Sequence, residues 1–187
     1  MTAAAHPPNS PAPQPKGRSA RPRVLFVCLG NLIRSPMAAA LTRERLAARG
    51  LADRFEVLSA GVIASGGDVA TTAAIKAAAR HGLDLRPHLS TPLTRELILA
   101  SNLVIAVDRM VAEQILELVP DLGPRLRLLT QFAPALGTLD VPDPIGQPPE
   151  VYEEAYRRIE ASVTGLIEAL EREPGLEAKA GGWTESP

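Results

Sequence analysis

The stretch VLFVCLGNLIRSP (24–36) holds the only cysteine of the chain, Cys28, followed at short range by Arg34, Ser35 and Pro36. These residue types at this spacing suit the capture of an oxyanion and its attack by sulfur. Arg34 can set a bidentate fork on a phosphate-sized anion. Gly30 and Asn31 tolerate a positive φ. The turn they make can therefore aim the backbone N–H groups of Leu29, Gly30, Asn31, Leu32, Ile33, Arg34 and Ser35 into one concavity. A helix opening at Ser35–Pro36 adds the partial positive charge of its N-terminus. The same field favours thiolate over thiol, and the thiolate is the nucleophilic form. On residue type alone, a lone cysteine closing an apolar strand is a buried core residue. The pattern C-x5-R with Ser-Pro at a helix start, directly after a strand, points instead to phosphoryl transfer onto sulfur.

Expelling an alkoxide or aryloxide also needs a proton at the leaving oxygen, which a thiolate cannot supply. Asp143, in LDVPDPIGQPP (139–149), is the candidate, held in a loop stiffened by Pro142, Pro144, Pro148 and Pro149. Locally the same residues read equally well as an Asp-Pro turn. His81, just before Gly82, reads as a helix C-terminal residue favoured by the helix dipole. His6 and His88 receive no assignment, and three scattered histidines predict neither a metal nor another cofactor.

Presenting these groups requires a strand to carry the cysteine and a sheet with an open carboxyl edge. RVLFVCL (23–29) is an apolar run rich in β-formers, and FEVLSAG (55–61), LVIAV (103–107) and RLRLL (125–129) are three more. Helix-forming segments fall between them: 36–50 from Pro36 to Gly50, 68–82 ending at a glycine, and 110–120 ending at Pro120. The longest, 149–172, repeats Val151, Tyr152, Ala155, Ile159, Val163, Leu166, Ile167 and Leu170 at three- and four-residue intervals, which makes one buried face. This alternation predicts a single α/β domain with a mostly parallel sheet and helices on both faces. Ligands of such sheets bind at strand carboxyl ends, where the connections diverge.

The 187 residues are 45% hydrophobic, enough for one core. A formal net charge of −1 gives no global field to draw the chain to nucleic acid or an anionic membrane. No apolar run is long enough to span a bilayer. One cysteine excludes an intrachain disulfide and a Cys-rich zinc site, and makes a reducing, cytoplasmic setting the default. The N-terminal segment lacks the apolar stretch of a secretory signal. Segments 1–22 and 173–187 read as disordered tails flanking a domain at 23–172.

VCLGNLIRSPMAAA (27–40) resembles the signature of the low-molecular-weight protein tyrosine phosphatases. SAG (59–61), HGLDL (81–85), LVIAVD (103–108) and PDP (142–144) extend the resemblance over 23–172. It implies a flavodoxin-like, four-stranded parallel sheet, a cysteinyl-phosphate intermediate on Cys28, Arg34 as the phosphate grip, and no metal. It implies Asp143 as general acid in the first step and as base toward water in the second. It also implies that Ser35 hydrogen-bonds the sulfur, and that Asn31, Ser59 and His81 form a network supporting the loop. The implied partner is a phosphorylated protein.

Several positions depart from the family pattern, among them Ala39, where a glutamate is common in the family. Many members carry a second cysteine where this chain has Ile33, so oxidised Cys28 has no resolving thiol within the chain. Tyrosine-specific members commonly place aromatic residues after Asp-Pro. Here Ile145 and Gly146 follow, in a chain only 3% aromatic, which weakens ring stacking. A related branch acts on phosphoarginine and often has threonine at the position of Leu32, whose missing hydroxyl favours an ester substrate. The expected function is phosphomonoester hydrolysis, with protein phosphotyrosine first and phosphoarginine second. Arsenate reduction on the same fold would need an external thiol. A non-catalytic phosphate-binding module would be expected to have lost one of Cys28, Arg34, Ser35 and Asp143.

Overall fold

A computed structural model describes residues 21–172 of the chain. Of the tails expected at 1–22 and 173–187, residues 1–20 and 173–187 lie outside the described residues, while the carbonyl of Pro22 already accepts from the N–H of Glu56 at 2.9 Å. Four strands, β1 (Arg23–Cys28), β2 (Glu56–Gly61), β3 (Leu103–Ala106) and β4 (Leu126–Leu128), form one sheet in the order β2-β1-β3-β4. Every pairing is parallel. Five α-helices accompany them: α1 (Arg34–Ala48), α2 (Thr72–Arg80), α3 (Arg95–Leu99), α4 (Arg109–Leu118) and α5 (Pro149–Arg172).

The central strands are apolar along their length because both of their faces are covered. Leu25, Phe26 and Val27 of β1 and Val104, Ile105 and Ala106 of β3 are all closed to solvent. β1 leads to β2 on one side through α1, and β3 leads to β4 on the other side through α4. Right-handed crossovers therefore put α1 and α4 on opposite faces. Between the carboxyl ends of β1 and β3 the connections diverge and a crevice opens. Cys28 ends β1 at that crevice, and Asp108 stands just past the end of β3.

The eight expected elements are all present, with shifts at their ends that have local causes. α1 starts at Arg34, two residues before Pro36. Pro36 is then its third residue, where a missing N–H is still harmless because no helical acceptor exists for it. α2 starts at Thr72, not residue 68, because Val69 is bridged to Leu89 and Thr71 caps the helix through the N–H of Ala74. α3 was not expected. It is a five-residue turn capped by Thr94, too short to show a helical period.

α5 packs against α1 and against the 3₁₀ turn Leu129–Phe132. Its buried face includes Tyr156, the largest fully buried side chain among the described residues, while Val151 is only half-buried. Gly165 lets the helix touch the turn, since a Cβ there would stand 1.8 Å from the carbonyl oxygen of Phe132. Gly165→Ala should therefore destabilise the fold by about 2 kcal/mol, or roughly 4–8 °C in Tm, although alanine is the better helix former. Thermal unfolding checks this, and a raised Tm would show that α5 does not lie this close.

Candidate active site

Cys28 is nearly closed to solvent, and its sulfur receives two hydrogen bonds. The backbone N–H of Asn31 donates at 3.1 Å and the hydroxyl of Ser35 at 3.0 Å. Asn31 carries the strain of the turn. Its φ of 56° is the only positive value at a non-glycine position among the described residues, and Gly30 does not share it. Asparagine tolerates that conformation better than most side chains. Its buried side chain spans the loop, with Nδ2 donating to Ser35 Oγ at 2.9 Å and Oδ1 accepting from the N–H of Thr91 at 2.8 Å. Because Asn31 donates to Ser35, the single hydroxyl hydrogen of Ser35 is left for two acceptors, the sulfur at 3.0 Å and the carbonyl of Ala60 at 3.3 Å, of which the sulfur is the nearer.

Ser35 does not cap α1. Ile33 occupies the cap position of α1 without a side-chain cap, and Ser35 lies inside the first turn. The backbone N–H groups of Gly30, Leu32, Ile33, Arg34 and Ser35 have no acceptor among the described residues. They are the free donors of an anion-binding loop at a helix N-terminus. Leu29, whose N–H likewise has no acceptor among the described residues, ties the loop to the extension of β2, its carbonyl accepting from the N–H of Ile63 at 3.0 Å. The loop can lie directly on the end of β2 because Gly61 has no side chain. A Cβ there would meet Asn31 N and the carbonyl carbon of Gly30 at 2.7 Å.

His81 and Ser59 are not brought to the loop. His81 stacks on Tyr156 at 3.6 Å between ring centroids, and its Nε2 pairs with Glu153 at 2.7 Å, where α2 meets α5. Ser59 sits in β2 opposite Phe26 and makes no side-chain hydrogen bond to the loop. The supporting histidine is His88, whose Nε2 lies 2.7 Å from the carbonyl of Asn31. A carbonyl only accepts, so Nε2 carries the hydrogen. Burial pushes the His88 imidazole below its ordinary pKa, and the nearby Arg43 adds to this against the bond to Asn31. Nothing periodic marks His88 in the sequence. The Val69–Leu89 bridge is what carries it to the loop.

Arg34 is buried and meets three acceptors from distant parts of the chain. Nη1 donates to Asp108 Oδ2 at 2.6 Å and to the carbonyl of Val141 at 3.1 Å. Nη2 donates to Asp143 Oδ2 at 2.6 Å. Asp143 Oδ1 also accepts from the N–H of Ile145 at 3.2 Å, so the Asp-Pro turn and the convergence on Arg34 are both real. The loop carrying Asp143 is fastened at its base. Val141 N–H donates to Val107, Arg158 Nη1 donates to the carbonyl of Asp140, and Arg109 grips the Asp140 carboxylate at 2.7 Å. The Arg109 guanidinium holds the Asp140 carboxyl below the usual carboxylate range. A cavity of about 430 Å³ opens beside Arg34, bordered by Asp108, Glu113, Asp140 and Asp143. Ile145 stands exposed just after Asp143. Among the described residues no cluster of His, Cys, Asp and Glu is placed to hold a metal, and no helix is long and apolar enough to cross a membrane.

The family model for low molecular weight phosphotyrosine protein phosphatases matches residues 23–176. A low molecular weight protein-tyrosine-phosphatase of Streptomyces coelicolor is 36% identical, the match covering 79% of this chain and 93% of that protein. A protein-arginine-phosphatase of Geobacillus stearothermophilus is also 36% identical, covering 81% of this chain and 97% of the relative. The crystallised arginine phosphatase YwlE of Bacillus subtilis, a mutant with a phosphorylated active-site serine, superposes with a TM-score of 0.73 at 31% identity. That match covers 82% of this chain and 99% of YwlE.

Proposed function

The chain belongs to the low molecular weight phosphotyrosine protein phosphatase family, and from that premise we propose that it hydrolyses protein phosphotyrosine through a phosphocysteine on Cys28. The observation that carries this is the convergence of two hydrogen bonds on the Cys28 sulfur with six loop N–H groups left unpaired among the described residues and the Arg34 fork. Negative charge on the sulfur is stabilised by the N–H of Asn31 and the hydroxyl of Ser35, which together favour the attacking thiolate.

The loop from Leu29 to Ser35, a P-loop of the C-x5-R type, seats three phosphoryl oxygens on backbone N–H groups and on Arg34. The sulfur attacks phosphorus in line. The P–S bond forms as the P–O bond to the leaving group breaks, and the Asp143 carboxylic acid gives that oxygen its proton. Phosphate oxygens and Asp143 share the Arg34 fork, so an arriving phosphate loosens the hold of Arg34 on Asp143. In the second step Asp143, now a carboxylate, takes a proton from water as water attacks phosphorus. The P–S bond breaks, and the departing thiolate is received by the same two donors. None of these steps calls for a metal. The compartment that suits a lone nucleophilic thiol is a reducing one, and we place the protein in the cytoplasm.

Phosphoarginine hydrolysis is a second reading. It is favoured by the relative from Geobacillus stearothermophilus and by Ile145 and Gly146, which offer no aromatic wall. One preparation assayed with chelator present against phosphotyrosine, phosphoarginine and phosphoserine peptides decides between them. The phosphotyrosine peptide should give the highest kcat/KM by at least ~10-fold, a margin of about 1.4 kcal/mol in transition-state binding. A reversed order would make the protein an arginine phosphatase. No turnover of any aryl phosphate between about pH 5 and 8, the range in which such acid–base pairs work, would end the enzymatic reading.

A further inference from the structure

The geometry assigns Asp108 as the positioning residue of the reaction, fixing the Arg34 guanidinium so that one edge of its fork stays open for phosphate. This rests on the phosphatase reading above. Asp108 follows β3 and uses its two carboxylate oxygens for different tasks. Oδ1 caps α4 by accepting from the N–H of Val111 at 2.8 Å, and Oδ2 accepts from Arg34 Nη1 at 2.6 Å. The second acceptor of Nη1, the carbonyl of Val141, is itself strapped to the end of β3 through the N–H of Val141 and the carbonyl of Val107 at 2.9 Å. Both hydrogens of Nη1 are thus consumed by groups anchored on the carboxyl edge of one buried strand.

A guanidinium carries five N–H donors in a fixed plane. With Nη1 saturated and Nη2 donating once to Asp143, Nε–H and the second Nη2–H remain without an acceptor among the described residues. Those two hydrogens lie along one edge of the fork, the arrangement that grips two oxygens of a phosphoryl group. The plane cannot rotate without breaking bonds to β3. Arg34 is also 3% exposed, so water gives its charge little relief, and Asp108, at 8%, is the buried counter-charge that remains when Asp143 turns to the leaving group.

An orientation enforced in this way acts mainly when the phosphoryl oxygens spread in the trigonal bipyramidal transition state, and less when a tetrahedral phosphate binds. Asp108→Asn separates this role from the cap. Asparagine keeps an oxygen for Val111 and caps a helix as well as aspartate does, but turns an NH₂ toward Arg34 Nη1. In the full chain, kcat for an aryl phosphate should fall about 10–100-fold with KM within about threefold, the usual scale for groups that orient a primary ligand. Inhibition by vanadate, which mimics the bipyramid, should weaken more than ~10-fold while inhibition by inorganic phosphate changes less than ~3-fold. Tm should stay within a few degrees of the wild type. Asp108→Ser, which caps without offering an amide donor, gives the same readings should the asparagine variant not fold. A kcat within twofold of the wild type in either folded variant, or equal weakening of vanadate and phosphate, overturns the assignment. Loss of folding in both variants overturns it too, because the carboxylate would then serve the fold alone. An inactive wild type would instead remove the phosphatase reading, so the two failures are distinguishable.

Discussion

Cys28→Ser should lower kcat on phosphate esters by more than about 10⁴-fold, the loss that the proposed phosphocysteine route requires when its nucleophilic atom is replaced. The site gains its advantage from stabilising charge on a large, polarisable sulfur. The two donors aimed at it, the N–H of Asn31 and the hydroxyl of Ser35, assist an anion. A serine hydroxyl stays protonated in the same field, and among the described residues no imidazole or amine is hydrogen-bonded to residue 28 to take its proton. The two histidines at described positions are occupied elsewhere, His88 with the Asn31 carbonyl and His81 with Glu153. The substitution keeps the fold, since the smaller hydroxyl can accept from the same donors, so phosphate should still bind with an affinity close to that of the wild type. Slow phosphorylation of the serine without release is compatible with the chemistry. Mass spectrometry after prolonged incubation with an aryl phosphate would detect one added phosphoryl group. Steady-state turnover within about 100-fold of the wild type would remove Cys28 from the nucleophilic role.

The parts of this site that were legible in the sequence are those made by adjacent residues. Cys28, Arg34 and Ser35 share one strand–turn–helix, and local rules suffice to place a sulfur beneath a ring of N–H groups. The sheet was legible for a similar reason. From Val24 onward β1, and all of β3, are apolar runs because both faces of each are covered, which is the mark of a parallel sheet between helix layers. What escaped is what comes from far along the chain. His88 reaches Asn31 across 57 positions, through an extended segment pinned by the Val69–Leu89 bridge, and no local pattern marks it. Asp108 looks like an ordinary helix cap, which it also is. Only the register that sets β3 beside β1 brings its second oxygen to Arg34. Asp143 lay between these cases: its Asp-Pro turn is local, and its approach to Arg34 across 109 positions is not.

Asp143→Ala should separate substrates by leaving group. For an alkyl or unsubstituted phenyl phosphate the leaving oxygen needs its proton in the transition state, and kcat should fall about 10²–10³-fold, within the range typical of general acids. For a nitrophenyl phosphate the oxygen departs as a stable anion, and the loss should stay below about 10-fold. Arg34 keeps its bonds to Asp108 and Val141 in this variant, so the phosphate grip survives and KM should change little. The pH profile offers an independent reading. A general acid works only while protonated, so wild-type kcat for the poor leaving group should decline toward high pH. That decline should vanish in the variant. Asp143→Asn is the stricter comparison, because its amide oxygen can still accept from Arg34 Nη2 while its nitrogen cannot surrender a proton to an alkoxide. If both variants slow good and poor leaving groups equally, Asp143 serves only to hold Arg34. If the asparagine variant shows the same leaving-group split as the alanine variant, the proton and not the contact with Arg34 is what the reaction takes from this residue.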